Sequence, residues 1–436
     1  MWFPIAAARS RGPVACDLRE PPTEQRMPMT IEQSACPFTG ATLDHHSPEF
    51  RADPYAIFKE LRAACPMARS VQYGGFWAFL DYDSVFDAAR DDDLFNSYPS
   101  VGVPASGMPY PILPIESDPP LTKQLRAITL KQFSPQVAEE LRPQVRQMAQ
   151  DMVDEFIERG HCDIVAELTT PLPAKTMLHV LGFDETRYLE WVKWVHTVVH
   201  DRTQDEDTAA AAGMELFGEI GKHMQERREG ALGDDLFGRI LSGQVDGVPL
   251  DDIQITMYTF LMMLGGMDTT SGLTGNALLR MIEQPELRQT LIDEPDMLKP
   301  ATEEFLRHSS PTLGLARTVS RDTDFHGQNL QAGDRAILMW AAANHDPDVF
   351  ESPETIDFWR DNKRHLAFGV GQHRCLGSHL ARMMFQEMIS EILERLPDFE
   401  LDGEAELFED AGEVHAVRHL PIRFTPGARR AATAPQ

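Results

Sequence analysis

The sequence predicts a mainly α-helical fold, one large domain with small β-sheets, and three observations lead there. Apolar residues recur at helical spacing through most of the interior, while strand-like runs are few and short. No internal repeat and no linker rich in Gly, Ser or Pro divides the chain. Hydrophobic residues fill 42% of 436 positions, enough for a sizeable core and too many for a disordered acidic chain.

Residues 1–30 are rich in Pro and Arg without amphipathic period, which predicts a disordered leader ahead of a domain spanning 31–425. A strand is expected at 76–80, then helices at 139–159, 187–200 and 211–228, each with apolar residues three and four apart. A long helix covers 251–282, capped by Asp251 or Asp252 and stopped before Pro285. A further helix begins near Pro300, since Pro suits a first turn. Strands at 315–320 and 335–339, a helix at 377–396 ending at Pro397, and a last strand at 417–424 complete the domain. Residues 426–436 read as a loose tail.

Charge narrows the function. Forty Lys plus Arg against 68 Asp plus Glu leave a formal net charge of −28. Nucleic acid and acidic membranes would repel such a surface. The longest uncharged apolar run, 260–267, is far too short to span a bilayer. The five cysteines are odd in number and scattered, with no CxxC, which excludes a disulfide scaffold, a zinc ribbon and covalent c-type haem attachment. A reducing cytoplasm is the expected compartment.

One run of ten residues stands out: Phe368-Gly369-Val370-Gly371-Gln372-His373-Arg374-Cys375-Leu376-Gly377. Gly369 and Gly371 allow a tight bend whose backbone N–H groups can point at the sulfur, and Gly377 lets a large flat group come close. The helix that follows sets its positive dipole end beside Cys375, which favours thiolate. A thiolate ringed by amide donors, with no second Cys nearby, suits a single metal bond. A nucleophilic Cys hydrolase would need a partner His and an oxyanion hole, and nothing in the sequence points to either.

The long helix holds a second signal, Leu264-Gly265-Gly266-Met267-Asp268-Thr269-Thr270. Two glycines inside a helix cost about 1 kcal/mol each relative to Ala. Close helix packing would explain them. So would a local opening in which Thr269 reaches the Gly265 carbonyl four residues back. An acid and an alcohol side by side there offer a proton path.

Together these segments resemble the cytochrome P450 monooxygenases, over roughly residues 35–425 and in the family's order. The resemblance implies a haem b cofactor with Cys375 as its iron ligand, cradled by Phe368, Gly369, Gly377 and Gly265. It implies Asp268 as a proton relay and Thr269 as the hydroxyl beside the bound oxygen. Glu304 and Arg307, three apart on one helix, match the family's Glu-x-x-Arg, with Arg360 a third member of that structural network. Asp118 to Arg126 resembles the segment over the haem, which makes Arg126, Arg317 and His373 propionate partners. Thr122 stands where the family often has His, so a hydroxyl replaces that contact.

The segments 110–126 and 264–269 resemble the soluble bacterial terpene hydroxylases of the camphor type. The implied pocket draws on Tyr110, Ile112, Leu261, Leu264, Gly265, Leu313, Leu315 and Val414, for a terpenoid-like, fatty acid or aromatic substrate. Helices near 187–228 would form a lid around a mobile-looking 201–213. The implied reaction is hydroxylation with O2 and two electrons from a separate ferredoxin and its reductase, by a monomeric enzyme. A basic patch of Arg360, Lys363, Arg364, Arg374, Arg382, Lys123, Arg126 and Lys131 would receive that ferredoxin. A peroxide-driven oxygenase and a non-catalytic haem-thiolate sensor are the alternatives. The acid–alcohol pair weighs against the first.

Overall fold

The computed structural model describes residues 39–41, 43–200, 205–410, 412 and 414–430. The leader expected at 1–30 and residues 431–436 lie outside it.

The long helix runs from Asp252 to Glu283 because its start is fully capped. The Asp251 side chain accepts from the Gln254 N–H, and the Gln254 side chain answers at the Asp251 N–H. It is apolar on most sides and therefore central. Helices Pro171–Leu181, Tyr188–His200, Glu206–Glu229 and Ser378–Arg395 pack around it. Helix Pro135–Phe156 lies against Ser378–Arg395. These helices share one large apolar core, in which Phe156, Leu172, Tyr258, Phe305 and Phe385 are buried.

The β part is small, as predicted. A six-stranded sheet has the order Thr39–Ala41, Met67–Ser70, Phe76–Phe79, Arg335–Leu338, Leu315–Val319, Phe95–Asn96. Phe76–Phe79 is buried along its whole length, which explains its unbroken apolar run. The strand expected at 417–424 is two short strands, Val417–His419 and Pro421–Arg423, that pair with different partners.

Two expectations are corrected. Residues 205–213 are not a mobile connection: 206–213 open helix Glu206–Glu229, capped by the Asp205 side chain. Residues 201–204 lie outside the described residues. The segment 426–430 is fastened rather than loose, since Arg430 pairs with Glu391 and Glu394 at 2.9 Å and the Gly427 N–H donates to the Ile157 carbonyl at 3.1 Å. Cys65 is disulfide-bonded, which its spacing in the sequence did not suggest.

Candidate active site

The cysteine loop bends as its glycines require. Gly369 and Gly371 have φ of +63° and +77°, and a Cβ at Gly371 would meet the Ala89 carbonyl at 2.5 Å. The Cys375 N–H donates to the Phe368 carbonyl at 2.8 Å, closing the loop, and helix Ser378–Arg395 starts just beyond. The sulfur opens onto a cavity. A Cβ at Gly377 would stand 3.9 Å from it, in space the loop keeps clear. Burial pushes the Cys375 thiol up, opposed by the Gly377 N–H and the charges of Arg126, Arg374 and Arg382. The net direction is upward. A metal would have to displace the proton.

Behind the loop lies a buried ionic frame. Arg307 donates twice to Glu304, at 2.8 and 3.0 Å, and to the carbonyls of Asn344, Pro353 and Thr355. Arg360 reaches the same carboxylate at 3.1 Å and the Glu351 carbonyl at 2.6 Å. The Asn344 side chain then accepts from the Leu366 N–H at 2.6 Å, two residues before Phe368. Glu304 and Arg307 are each 1% exposed, so the triad holds the approach to the cysteine and meets no ligand. Burial of Glu304 is outweighed by Arg307, which keeps its carboxyl below the usual range.

Across the cavity stands the long helix, and its two glycines do different jobs. A Cβ at Gly265 would meet nothing within 4 Å and would project into open space. A Cβ at Gly266 would strike Met177 at 2.5 Å, so that glycine lets helix Pro171–Leu181 pack close. The Thr269 hydroxyl donates to the Gly265 carbonyl at 2.9 Å, as the spacing predicts. Thr269 and Gly265 both line the cavity.

The cavity holds about 1440 Å³ of unfilled space, its mouth included. Cys375, Phe368, Gly369, Gly377, Arg126, Arg317 and His373 lie on its wall, together with Leu261 and Leu315. Arg317 is 3% exposed and forms no ion pair among the described residues. Its one described hydrogen bond goes to the Ala316 carbonyl at 2.8 Å. Burial brings it down to about 10, against Asp92 and Asp118. A buried guanidinium with donors to spare calls for an anion. Arg126 reaches the Arg374 carbonyl at 2.6 Å, and His373, brought down to about 3 by burial, shares a hydrogen bond with the Ser97 hydroxyl at 3.1 Å. A soft sulfur ligand, a clear flat space and cations at one edge fit a haem with its propionates.

Several expected residues sit elsewhere. The Thr122 hydroxyl is buried and spent on Ser117, so it offers nothing to a propionate. Tyr110 points to solvent. Ile112, Leu264, Leu313 and Val414 do not line the cavity; Ile112 and Val414 are in the main core, Leu264 packs against it, and Leu313 joins the cluster of Phe50 and Phe58. The wall is drawn instead from Ile115, Phe133, Met177, Met262, Pro311 and Thr312. Arg360 and Arg382 are drawn out of the basic patch by Glu304 and Glu303, leaving Lys123, Lys131, Arg364 and Arg374 exposed.

Asp268 is turned from the cavity toward helix Tyr188–His200. It lies 2.6 Å from His200 and 3.3 Å from His196. The i, i+4 spacing of the two histidines was visible in the sequence, but their acidic partner was not.

Comparison with known proteins agrees with this geometry. A protein from Bacillus megaterium crystallised in complex with testosterone superposes with a TM-score of 0.78 at 25% identity, covering 87% of this chain and 99% of that one. The sequence model described as cytochrome P450 matches residues 174–413. The steroid C26-monooxygenase of Mycolicibacterium smegmatis is 31% identical, over 85% of this chain and 92% of that protein. The linalool 8-monooxygenase of Pseudomonas putida is 28% identical over 86% and 96%. The chain belongs to the cytochrome P450 family and is an enzyme of its monooxygenase class, a family whose cofactor is haem. Among the described residues, no helix is long and apolar enough to cross a membrane.

Proposed function

We propose that this chain is a haem-thiolate monooxygenase that hydroxylates a compact hydrophobic molecule with O2 and two electrons from a separate ferredoxin. The observation that carries the reading is one cavity with the Cys375 sulfur on one wall and the Thr269 hydroxyl on the other. When bound, haem would supply the redox-active iron at which O2 is activated. Cys375 would hold that iron, and Arg317, Arg126 and His373 would hold the propionates. Thr269 presents its hydroxyl oxygen to the cavity while its proton is engaged by Gly265. Asp268, the next residue, holds a proton or its absence within one turn of that hydroxyl. The apolar side chains of Leu261, Met262, Leu315 and Ile115 exclude water and leave substrate orientation to shape.

The relatives' names point to steroids, linalool and methyl-branched lipids, all largely apolar molecules. This chain's wall suits the same class, with Thr312 and Thr270 as its small polar spots. Lys123, Lys131, Arg364 and Arg374 would steer an acidic ferredoxin to the cysteine side, and raised salt should slow its reduction step. The test is product formation with NAD(P)H, a surrogate ferredoxin and its reductase, on substrates chosen by their Soret shift. Turnover with peroxide alone, and none with the electron donors, would overturn the reading.

A further inference from the structure

Asp268 is shut off from bulk solvent. Its side chain is 3% exposed, and its two oxygens face two imidazoles of the neighbouring lid helix, His200 Nε2 at 2.6 Å and His196 Nε2 at 3.3 Å. The two histidines are one turn apart on helix Tyr188–His200, so both rings hang from one face. His200 is 2% exposed and lies flat on Phe408, with ring centroids 3.6 Å apart. His196 meets the same ring edge-on and keeps 27% of its side chain in solvent. Both ring nitrogens of His200 face acceptors, the Asp268 carboxylate and, at 3.4 Å, the Asp410 carbonyl. Only the doubly protonated ring supplies a donor to each.

We propose that His196 and His200 are the proton source for Asp268, with His196 as the port to water. This rests on the reading of Asp268 as the proton relay. In the step, an imidazolium Nε2–H passes its proton to an Asp268 carboxylate oxygen, and the carboxyl so formed then gives that proton up toward the cavity. The neutral imidazole then recovers a proton from a solvent hydronium. One proton moves inward, and no electron moves.

The electrostatics agree. Burial would raise Asp268, yet the charges and hydrogen bonds of His200 and His196 hold it far below the usual carboxylate range. Burial would lower His200, yet Asp268 and then Asp410 carry it upward. Both directions favour a carboxylate at Asp268 facing a charged His200. Among the described residues, the charged groups facing the cluster are Asp268 on the long helix and Asp410 beyond Phe408, itself paired with His46 at 2.7 Å. Arg418 stands over the Phe408 ring at 5.8 Å. Arginine or lysine in place of these rings would stay charged throughout. Histidines give up their protons within reach of neutral pH, so delivery should fade as pH rises.

The test compares wild type, H196Q, H200Q and D268N in the haem-loaded enzyme with surrogate electron donors. Product per NAD(P)H is followed from about pH 6 to 9, and the ring protonation of isotope-labelled histidine is followed by NMR over the same range. The expected result is an alkaline fall in wild-type coupling that tracks the His196 and His200 titrations. H196Q and H200Q should remove that fall and lower coupling by about 10-fold or more at its acid end. H196Q, at the partly exposed position, carries the test if H200Q does not fold. Wild-type coupling and an unchanged alkaline fall in H196Q, with D268N uncoupled, would overturn the proposal and leave Asp268 as relay. Full coupling in D268N would overturn both.

Discussion

On the Cys375 side of the cavity, ten consecutive residues set the sulfur, and the Glu304–Arg307–Arg360 triad fixes the chain that leads to them. The apolar part of the wall takes single side chains from segments as far apart as Ile115, Met177, Met262 and Thr312. The first region holds an atom in place, which needs fixed backbone and satisfied buried charge. The second needs only apolar surface of a certain shape, and many residues supply that. Position is written in contiguous sequence; shape is written in packing.

The sharpest way to break this contrast is at its centre. Cys375→Ala should abolish monooxygenase activity and the thiolate signature of the carbon monoxide difference spectrum while the fold persists. Thr269→Ala crosses to the opposite wall and should lower product per NAD(P)H by about 10²–10⁴-fold, with the electrons lost as hydrogen peroxide. Arg307→Ala leaves the buried Glu304 without its main partner and should cost about 3–5 kcal/mol, read as a lower midpoint of denaturation.

Glu303 tests the cysteine side more gently. Burial works against its charge, but Arg382 and His365 bring its carboxyl down to about 2. A depressed carboxyl stabilises the fold above its unfolded value, near about 4.3, and that stability is lost as pH falls toward 2. Glu303→Gln should therefore lower stability at neutral pH, where the carboxylate is paired, and flatten the acid limb, the difference from wild type shrinking as pH falls toward 2. Tyr110→Phe should be the smallest effect, within about 0.5 kcal/mol and without change in substrate binding, because the ring faces solvent. A large loss of binding there would show that the Tyr110 segment closes on substrate in another arrangement.

The legibility of the sequence follows the same division. The cysteine loop, the Glu304–Arg307 pair and the Thr269–Gly265 bond were readable because their partners lie within a few residues of each other. The long helix was readable to within a residue at each end, since its caps are local. Thr122, Leu313 and Val414 were misplaced because neighbours in sequence do not say which way a side chain faces. Thr122 satisfies its hydroxyl on Ser117, and Leu313 turns into the sheet's own core. Asp268 reads as a proton relay because it adjoins Thr269, but a helix sends adjacent residues about 100° apart, so the sequence does not show what its side chain meets. The partners it found belong to another helix.

The Gly266–Met177 contact bears on how long the enzyme lasts. Met177, Met262 and Met384 line the chamber where oxygen is handled, and thioethers are readily oxidised. Met177 already fills the space a single carbon on Gly266 would need, so a sulfoxide there would wedge the two helices apart. Each turnover that wastes its electrons exposes this joint to the waste. Catalytic thrift and working lifetime are thus set at the same spot, and a preparation that leaks peroxide should age from the inside of its cavity outward.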